Sequence, residues 1–252
     1  MAAPTTDGNH TALLRIGTRG SPLALAQAQE ARDRLIAAHP VLAAPGAIEI
    51  RVIKTTGDKV QDRPLAEIGG KGLFTKEIED ALLDGAIDLA VHSMKDVPTE
   101  LPPRLEISCL LPREDARDVL IASTGESIAT LPKGAVVGSA SLRRAAQVKA
   151  QRPDISIVPL RGNVETRIAK VARGDAVATL LALAGLKRLG KAAAASAILS
   201  IEEMLPAVAQ GAIGLETRRG DARVAELLAP LNHPATVAQV TAERACLAVL
   251  EG

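Results

Sequence analysis

Of 252 residues only Phe74 is aromatic; tryptophan and tyrosine are absent. That removes the stacking platforms on which single-strand nucleic-acid binders rest, and the Tyr- and Trp-rich surfaces of paratope-like interaction modules. Cysteine is almost as scarce: Cys109 and Cys246 lie far apart, which is no disulfide framework and fits a reducing, cytoplasmic compartment. The four histidines (His10, His39, His92, His233) are scattered, with neither H-E-x-x-H nor a paired C-x-x-C. No metal site is expected. Long apolar runs are missing too. The longest, Leu180–Leu186 with Gly185 inside, falls far short of the roughly 20 residues of a membrane helix. Met1–Thr11 is polar, lacks a signal-peptide core and is read as flexible. A soluble cytoplasmic protein without membrane association is expected.

What remains is aliphatic. Apolar residues make up 47% of the chain, enough for a sizeable core spread over one or two domains. The net charge of +1 hides an asymmetry. From Lys133 to Lys191, twelve Lys and Arg face three acids (Asp154, Glu165, Asp175), a net +9 that leaves −8 elsewhere. Such a split fits a side that meets an anionic partner or, equally, a solvated surface.

Short β-rich runs alternate with helical ones, which argues for α/β. Strands are read at Leu13–Thr18, Ile48–Lys54, Ile87–His92, Val119–Ala122, Ala135–Val137, Ile155–Pro159 and Ala178–Leu183. Helices are read at Ser21–Ala38, Leu73–Leu83, Leu142–Ala150 and Val164–Arg173. The Pro- and acid-containing stretch Leu111–Arg117 reads as a crossing between two similar lobes around a cleft. In such sheets ligands meet the carboxyl ends of strands and the helix N-termini.

Three strand-to-helix corners carry that chemistry. Ser21 is placed to cap with Pro22 behind it, Ser141 to cap ahead of Arg143 and Arg144, and Asn163 to cap between Arg161 and Arg167. Arginine in a first helical turn opposes the helix dipole. A single case is an ordinary surface residue, but three corners with the same bias point to a pocket for carboxylates or phosphates. Carboxylates suit arginine forks at least as well. Gly69–Gly72 lacks nucleotide-loop spacing and reads as a mobile connection.

The segment HSMKDVP, His92–Pro98, by itself a strand releasing a Lys-Asp pair, strongly resembles the catalytic-loop signature of the porphobilinogen deaminase (hydroxymethylbilane synthase) family. So do TRGSPLALAQA (Thr18–Ala28), GGKGLFTKE (Gly69–Glu77), GSASLRRAAQ (Gly138–Gln147), LRGNVETR (Leu160–Arg167), LALAGLKRLG (Leu181–Gly190) and LPAVAQGAIGLE (Leu205–Glu216). The resemblance runs collinearly over about residues 12–252. It implies two lobes like periplasmic-binding-protein type II domains and a third, small α/β domain. The expected division is domain 1 over 12–111 and 212–230, domain 2 over 117–205, and the start of domain 3 over 234–252. It also implies condensation of four porphobilinogen molecules into hydroxymethylbilane, in tetrapyrrole biosynthesis, with loss of four ammonia. The chain grows on a dipyrromethane cofactor held by a cysteine thioether. Porphobilinogen and its oligopyrrole intermediates are the implied partners, nucleic acid is not, and a monomer is expected.

The resemblance assigns Asp96 as the catalytic carboxylate. Lys95 and the side chains of Arg19, Ser21, Ser139, Ser141, Arg143, Arg144, Arg161, Arg167 and Arg188 become anion ligands, joined by backbone groups near Asn163, Ala209 and Gln210. Lys71 and Phe74 fall on a mobile active-site loop. In the family the cofactor-bearing cysteine is expected two residues beyond Gly252, so the chain as written is expected to carry no cofactor and little turnover. Ala235–Leu250 is expected to be the first helix of the third domain, with its apolar stripe (Val237, Val240, Ala245, Leu247) uncovered. Cys109 and Cys246 both read as buried thiols. The alternative reading is a non-catalytic, two-lobed polycarboxylate-binding module.

Overall fold

The computed structural model describes residues 12–59 and 72–251. Met1–Thr11, read above as flexible, lies outside them, and so do most of the Gly69–Gly72 connection and Lys71.

The described residues form two five-stranded mixed sheets. The first contains β1 (Leu14–Thr18), β2 (Ile48–Val52), β3 (Leu89–Ser93), β4 (Leu105–Leu110) and β10 (Ile213–Arg218), in the order β2-β1-β3-β10-β4. The second contains β5 (Asp118–Ala122), β6 (Val136–Gly138), β7 (Ser156–Val158), β8 (Ala178–Ala182) and β9 (Ala197–Ile198), in the order β7-β6-β8-β5-β9. In each sheet three strands run parallel. The next strand, β10 or β5, is antiparallel to the third and to the edge strand beyond it. Each of these antiparallel strands directly follows a passage between the sheets: residues 111–117 lead into β5 and residues 199–212 lead back into β10.

Local chemistry sets the helices. In α1 (Pro22–Ala38), Ser21 Oγ accepts from the Ala24 amide at 3.2 Å, Pro22 fills the first turn, and the small face Ala24, Ala28, Ala31 packs with Leu35 on the sheet. The following helices are α2 (Thr56–Lys59) and α3 (Lys76–Leu83). Helix α3 starts three residues later than its apolar pattern suggests, because Gly72 O takes the Thr75 and Lys76 amides in a turn. In the second lobe α4 (Leu142–Gln151) and α5 (Val164–Ala172) start at the serine and asparagine caps, with Ser141 Oγ and Asn163 Oδ1 accepting from Arg144 N and Thr166 N. The chain continues through α6 (Leu183–Arg188), α7 (Ala222–Leu228) and α8 (Pro234–Glu251).

Each sheet has its own aliphatic core. Leu14, Ile16, Leu35, Leu89, Val91 and Leu215 lead the first, and Leu120, Val137, Val148, Ile155 and Leu180 the second. Cys109 is buried in the first core, and burial pushes its thiol up to about 12. Two expectations about the last helix need correction. Val240 is buried and Val237 partly so, because they pack with Met94, Val97, Leu110, Ala209 and Ala212 of the first lobe. That half of the stripe therefore has its cover, although Ala245 is exposed. Cys246 is exposed as well, not buried, because it lies beyond that contact.

Candidate functional site

Strand β3 delivers the site. Its last residue, Ser93, leads into one 3-10 turn, Met94–Asp96, in which Met94 is buried as an anchor while Lys95 and Asp96 are exposed. The turn opens onto a cleft between the lobes lined by Gln27, Ser93, Lys95, Ala182, Arg188 and Gly211, among others. Gln27, itself buried, donates from Nε2 to Ser93 Oγ at 2.8 Å and ties α1 to the end of β3.

Opposite Lys95 lies a fully buried carboxylate. Asp118, the first residue of β5, receives Arg143 and Arg144 at 2.7 Å each. Gln210 donates to its Oδ1 at 2.8 Å and to Ala116 O at 2.7 Å. With the amide nitrogen so committed, the Gln210 oxygen faces Lys95, whose Nζ donates to it at 3.4 Å. Burial would raise the Asp118 carboxyl, but the charges of Arg144 and Arg143 and the Gln210 bond hold it below the usual carboxylate range.

The cations nearby are under mutual pressure. Lys95 is brought down to about 8, by the crowding of protein around it and then by Arg144 and Arg143, against the pull of Asp96 and Asp118. Arg167 is brought down to about 10 by desolvation and by Arg144 and Arg161, with Asp96 opposing. Asp96, Lys95, Arg143, Arg144, Arg161 and Arg167 thus share one electrostatic neighbourhood. Arg144 Nε is buried without a hydrogen-bond partner among the described residues. These five cations face two carboxylates, Asp96 and Asp118, so the neighbourhood is net positive and favours anions.

The other expected site residues have more local positions. Ser139 Oγ bonds the backbone of Ser141, accepting from its amide at 3.1 Å. Arg188 reaches from α6 to Glu30 of α1 at 3.1 Å and to Gly211 O at 3.1 Å, and so spans the cleft. Arg19 is forked onto Asp58 at 2.5 Å, and its guanidinium lies 4.0 Å over the Phe74 ring. Ala209 takes a left-handed conformation, φ 57°, beside buried Gln210. Several cations of the +9 segment are paired: Arg152 with Asp154, Arg173 with Asp175 and Lys191 with Glu165, acids already counted in the +9, and Arg143 and Arg144 with Asp118, Lys187 with Glu114 and Arg188 with Glu30 from outside it.

Sequence reasoning did not single out Asp118, Arg113, Glu243 or Arg244. Asp118 had a signal, an acid opening the apolar run Asp118–Ala122, since a carboxylate carried into a strand core needs a cation. Glu243 and Arg244 had none, because their partners, the Arg113 side chain and backbone groups of Val97, Pro98 and Ala209, lie far away in sequence. Glu243 pairs with Arg113 at 2.5 Å and accepts the Ala209 amide at 2.7 Å. Arg244 donates to the carbonyls of Val97 and Pro98 at 2.9 and 2.5 Å.

Residues 14–226 match the family described as porphobilinogen deaminase, dipyromethane cofactor binding domain. The chain belongs to the porphobilinogen deaminase family. Its relatives include the chloroplastic porphobilinogen deaminase of Oryza sativa subsp. japonica, 61% identical over 95% of this chain and 67% of that protein. The porphobilinogen deaminase of Paracoccus denitrificans (strain Pd 1222) is also 61% identical, over 95% of this chain and 76% of that protein. The fold extends more widely. A periplasmic substrate-binding protein of an ABC transporter from Coxiella burnetii superposes with a TM-score of 0.52 at 15% identity, over 91% of this chain and 96% of that one. A putative methionine-binding lipoprotein from Bacillus subtilis gives 0.51 at 12%, over 88% and 91%. At such identities these two show a shared two-lobed architecture and nothing of ligand. The span matching the porphobilinogen deaminase family contains the Lys95–Asp96 turn, all three corners and Ala209–Gln210, and ends before α8. Among the described residues no helix is long and apolar enough to cross a membrane.

Proposed function

We propose that this cleft is where four porphobilinogen molecules are condensed head to tail into hydroxymethylbilane, with release of four ammonia. The observation that carries the reading is that Lys95 and Arg167 feel both Asp96 and the Arg144 pair of Asp118, with Arg144 Nε buried and without a hydrogen-bond partner among the described residues. Each porphobilinogen brings an acetate and a propionate, so every condensation lengthens a polyanion. Guanidinium forks bind carboxylates bidentately, and each carboxylate relieves the repulsion among the cations it joins.

The same donors fit a dipyrromethane, which is itself a polycarboxylate. Lys95, Arg143, Arg144 and Arg167 would hold its acid side chains, with Arg161, Arg188, Ser139, Ser141 and the backbone around Asn163 along the chain's path; the amides of Ala209 and Gln210, expected to join them, are instead bonded to Glu243 and Ala207 O. When bound, the cofactor supplies the pyrrole end that is extended. Arg19 and Ser21, just before α1, and Phe74, before α3, would add further contacts, and Lys71 is proposed from the family motif alone.

Asp96 carries the chemistry. As ammonia leaves the aminomethyl group of porphobilinogen, positive charge spreads onto the pyrrole N–H. A fixed carboxylate beside it stabilises that charge without reorganisation. The same oxygen can take up a ring proton once the new carbon–carbon bond has formed. Lys95, which donates to Gln210 Oε1, orients the carboxylates of the reacting ring. Asp96→Asn in the holoenzyme is expected to lower kcat by about 10²- to 10³-fold while porphobilinogen still binds, read by ammonia release beside calorimetry. Near-normal turnover would remove Asp96 from this role. Binding without ammonia release in the unmutated holoenzyme would point instead to a polycarboxylate-binding module.

A further inference from the structure

The turn that presents Asp96 is short: its entry is anchored by buried Met94, but its exit leaves the sheet that delivers it. Ladder pairing ends at Ser93 and resumes at Leu105. Between them the 3-10 turn is held at its entry by Met94 N to Ala212 O at 3.1 Å and closed by Val97 N to Met94 O at 3.2 Å, and the chain then runs through Pro98 without joining a strand. A catalytic carboxylate at the head of such a segment needs an external hold, because displacements near 1 Å cost rate steeply.

Helix α8 provides one. It is fixed to the first lobe by Val240 and Val237 against Met94 and Val97. His233 N bonds Leu110 O at 2.8 Å, and Thr236 Oγ1 accepts the Arg113 amide at 3.0 Å. From that footing Arg244 directs NH1 to Val97 O at 2.9 Å and NH2 to Pro98 O at 2.5 Å, with Thr99 O at 3.3 Å. Both arms of one guanidinium therefore close on consecutive carbonyls directly behind Asp96. The neighbouring Glu243 accepts the amide of left-handed Ala209, which packs in the same cluster as Met94 and Val97. We propose that Arg244 is a positioning residue: its fork fixes the exit of the Met94–Asp96 turn and thereby the place of the Asp96 carboxylate. It touches neither substrate nor cofactor. The proposal rests on the reading of Asp96 given above. A lysine cannot substitute fully, since an ammonium is a point donor without the planar fork.

The test compares Arg244→Ala and Arg244→Lys with the unmutated holoenzyme. Arg244→Ala is expected to lower kcat by about 10- to 100-fold with KM changed less than about twofold. Amide hydrogen exchange over 95–101 should accelerate by about tenfold or more while β1 and β8 keep their protection. Arg244→Lys should recover part of both effects. Unchanged kcat, a rise confined to KM, or unaltered exchange over 95–101 would overturn the proposal. So would accelerated exchange across the whole first lobe, which marks a merely structural residue. Should Arg244→Ala fail to fold, Arg244→Lys decides: wild-type kcat and exchange in that variant would overturn the positioning role. If the unmutated holoenzyme releases no ammonia, the functional reading falls, and the exchange measurement still decides whether Arg244 holds the turn.

Discussion

At the scale of single residues, the cleft is organised by a buried charge, Asp118. Asp118 is fully buried and binds two arginines and Gln210, which anchors the guanidiniums at one end and leaves the surrounding field positive. Lys95 meets that field directly and is already brought down to about 8. Its sign is clear: with a folded pKa below the ordinary lysine value, Lys95 is cationic below about pH 8 and sheds its proton above it. Affinity for a polycarboxylate such as porphobilinogen is therefore expected to fall as pH rises through about 8, and Lys95→Met should flatten that dependence in calorimetric titrations. Folding responds in the opposite sense, since the unfolded chain holds that proton up to higher pH, so this group's contribution to stability rises with pH between its two pKa values. The arginine-bearing corners and the Lys95–Asp96 pair were legible in the sequence because each is a local pattern. The partners Asp118 offers to Arg143 and Arg144 were not, since only folding brings residue 118 beneath that corner.

At the scale of elements, caps and turns read best. Ser21, Ser141 and Asn163 each cap the helix their spacing suggests, because an N-cap is a contact over three residues. Strands β9 and β10 are not evident in the sequence, whereas Cys109 reads as lying on a strand and does, in β4. Ile213–Arg218 is a central strand buried on both faces, and it even carries Glu216 inside against His92 at 2.9 Å, so it shows no alternation to detect. The turn before β10 is equally specific. Gly211 has φ +90°, and a Cβ there would lie 2.3 Å from Glu114 O. Gly211→Ala is expected to destabilise the fold by about 1–3 kcal/mol, measured by denaturant unfolding, and to disturb Gln210 and Arg188, whose contacts run through the same turn.

At the scale of the molecule, the two lobes are separate cores joined by two passages and a few contacts across the cleft. Two ion pairs differ in kind. Lys187–Glu114 at 2.7 Å is substantially exposed, whereas Arg188–Glu30 at 3.1 Å has its guanidinium only 10% exposed and a second bond to Gly211 O. Lys187→Ala is therefore expected to cost under about 1 kcal/mol, with the loss screened by salt. Arg188→Ala should cost about 1.5–3 kcal/mol because a charged hydrogen bond is lost with it; equal costs in urea unfolding would contradict this assignment. The two-lobed plan was legible from the alternation of strands and helices and from the crossing at Leu111–Arg117. The seating of α8 on the first lobe was not, because an amphipathic helix announces that it has an apolar face but not what lies under it.

One consequence concerns how such a molecule can be watched. Phe74 is the sole aromatic residue. Its ring is flanked by the Arg19 guanidinium at 4.0 Å and by Gly57, where a side chain would overlap it at 2.2 Å. With no indole or phenol present, the polypeptide is nearly transparent around 280 nm. The fine structure of one phenylalanine near 260 nm then becomes a private optical channel for the Arg19–Asp58 corner, and pyrrole absorption stands against an almost dark background.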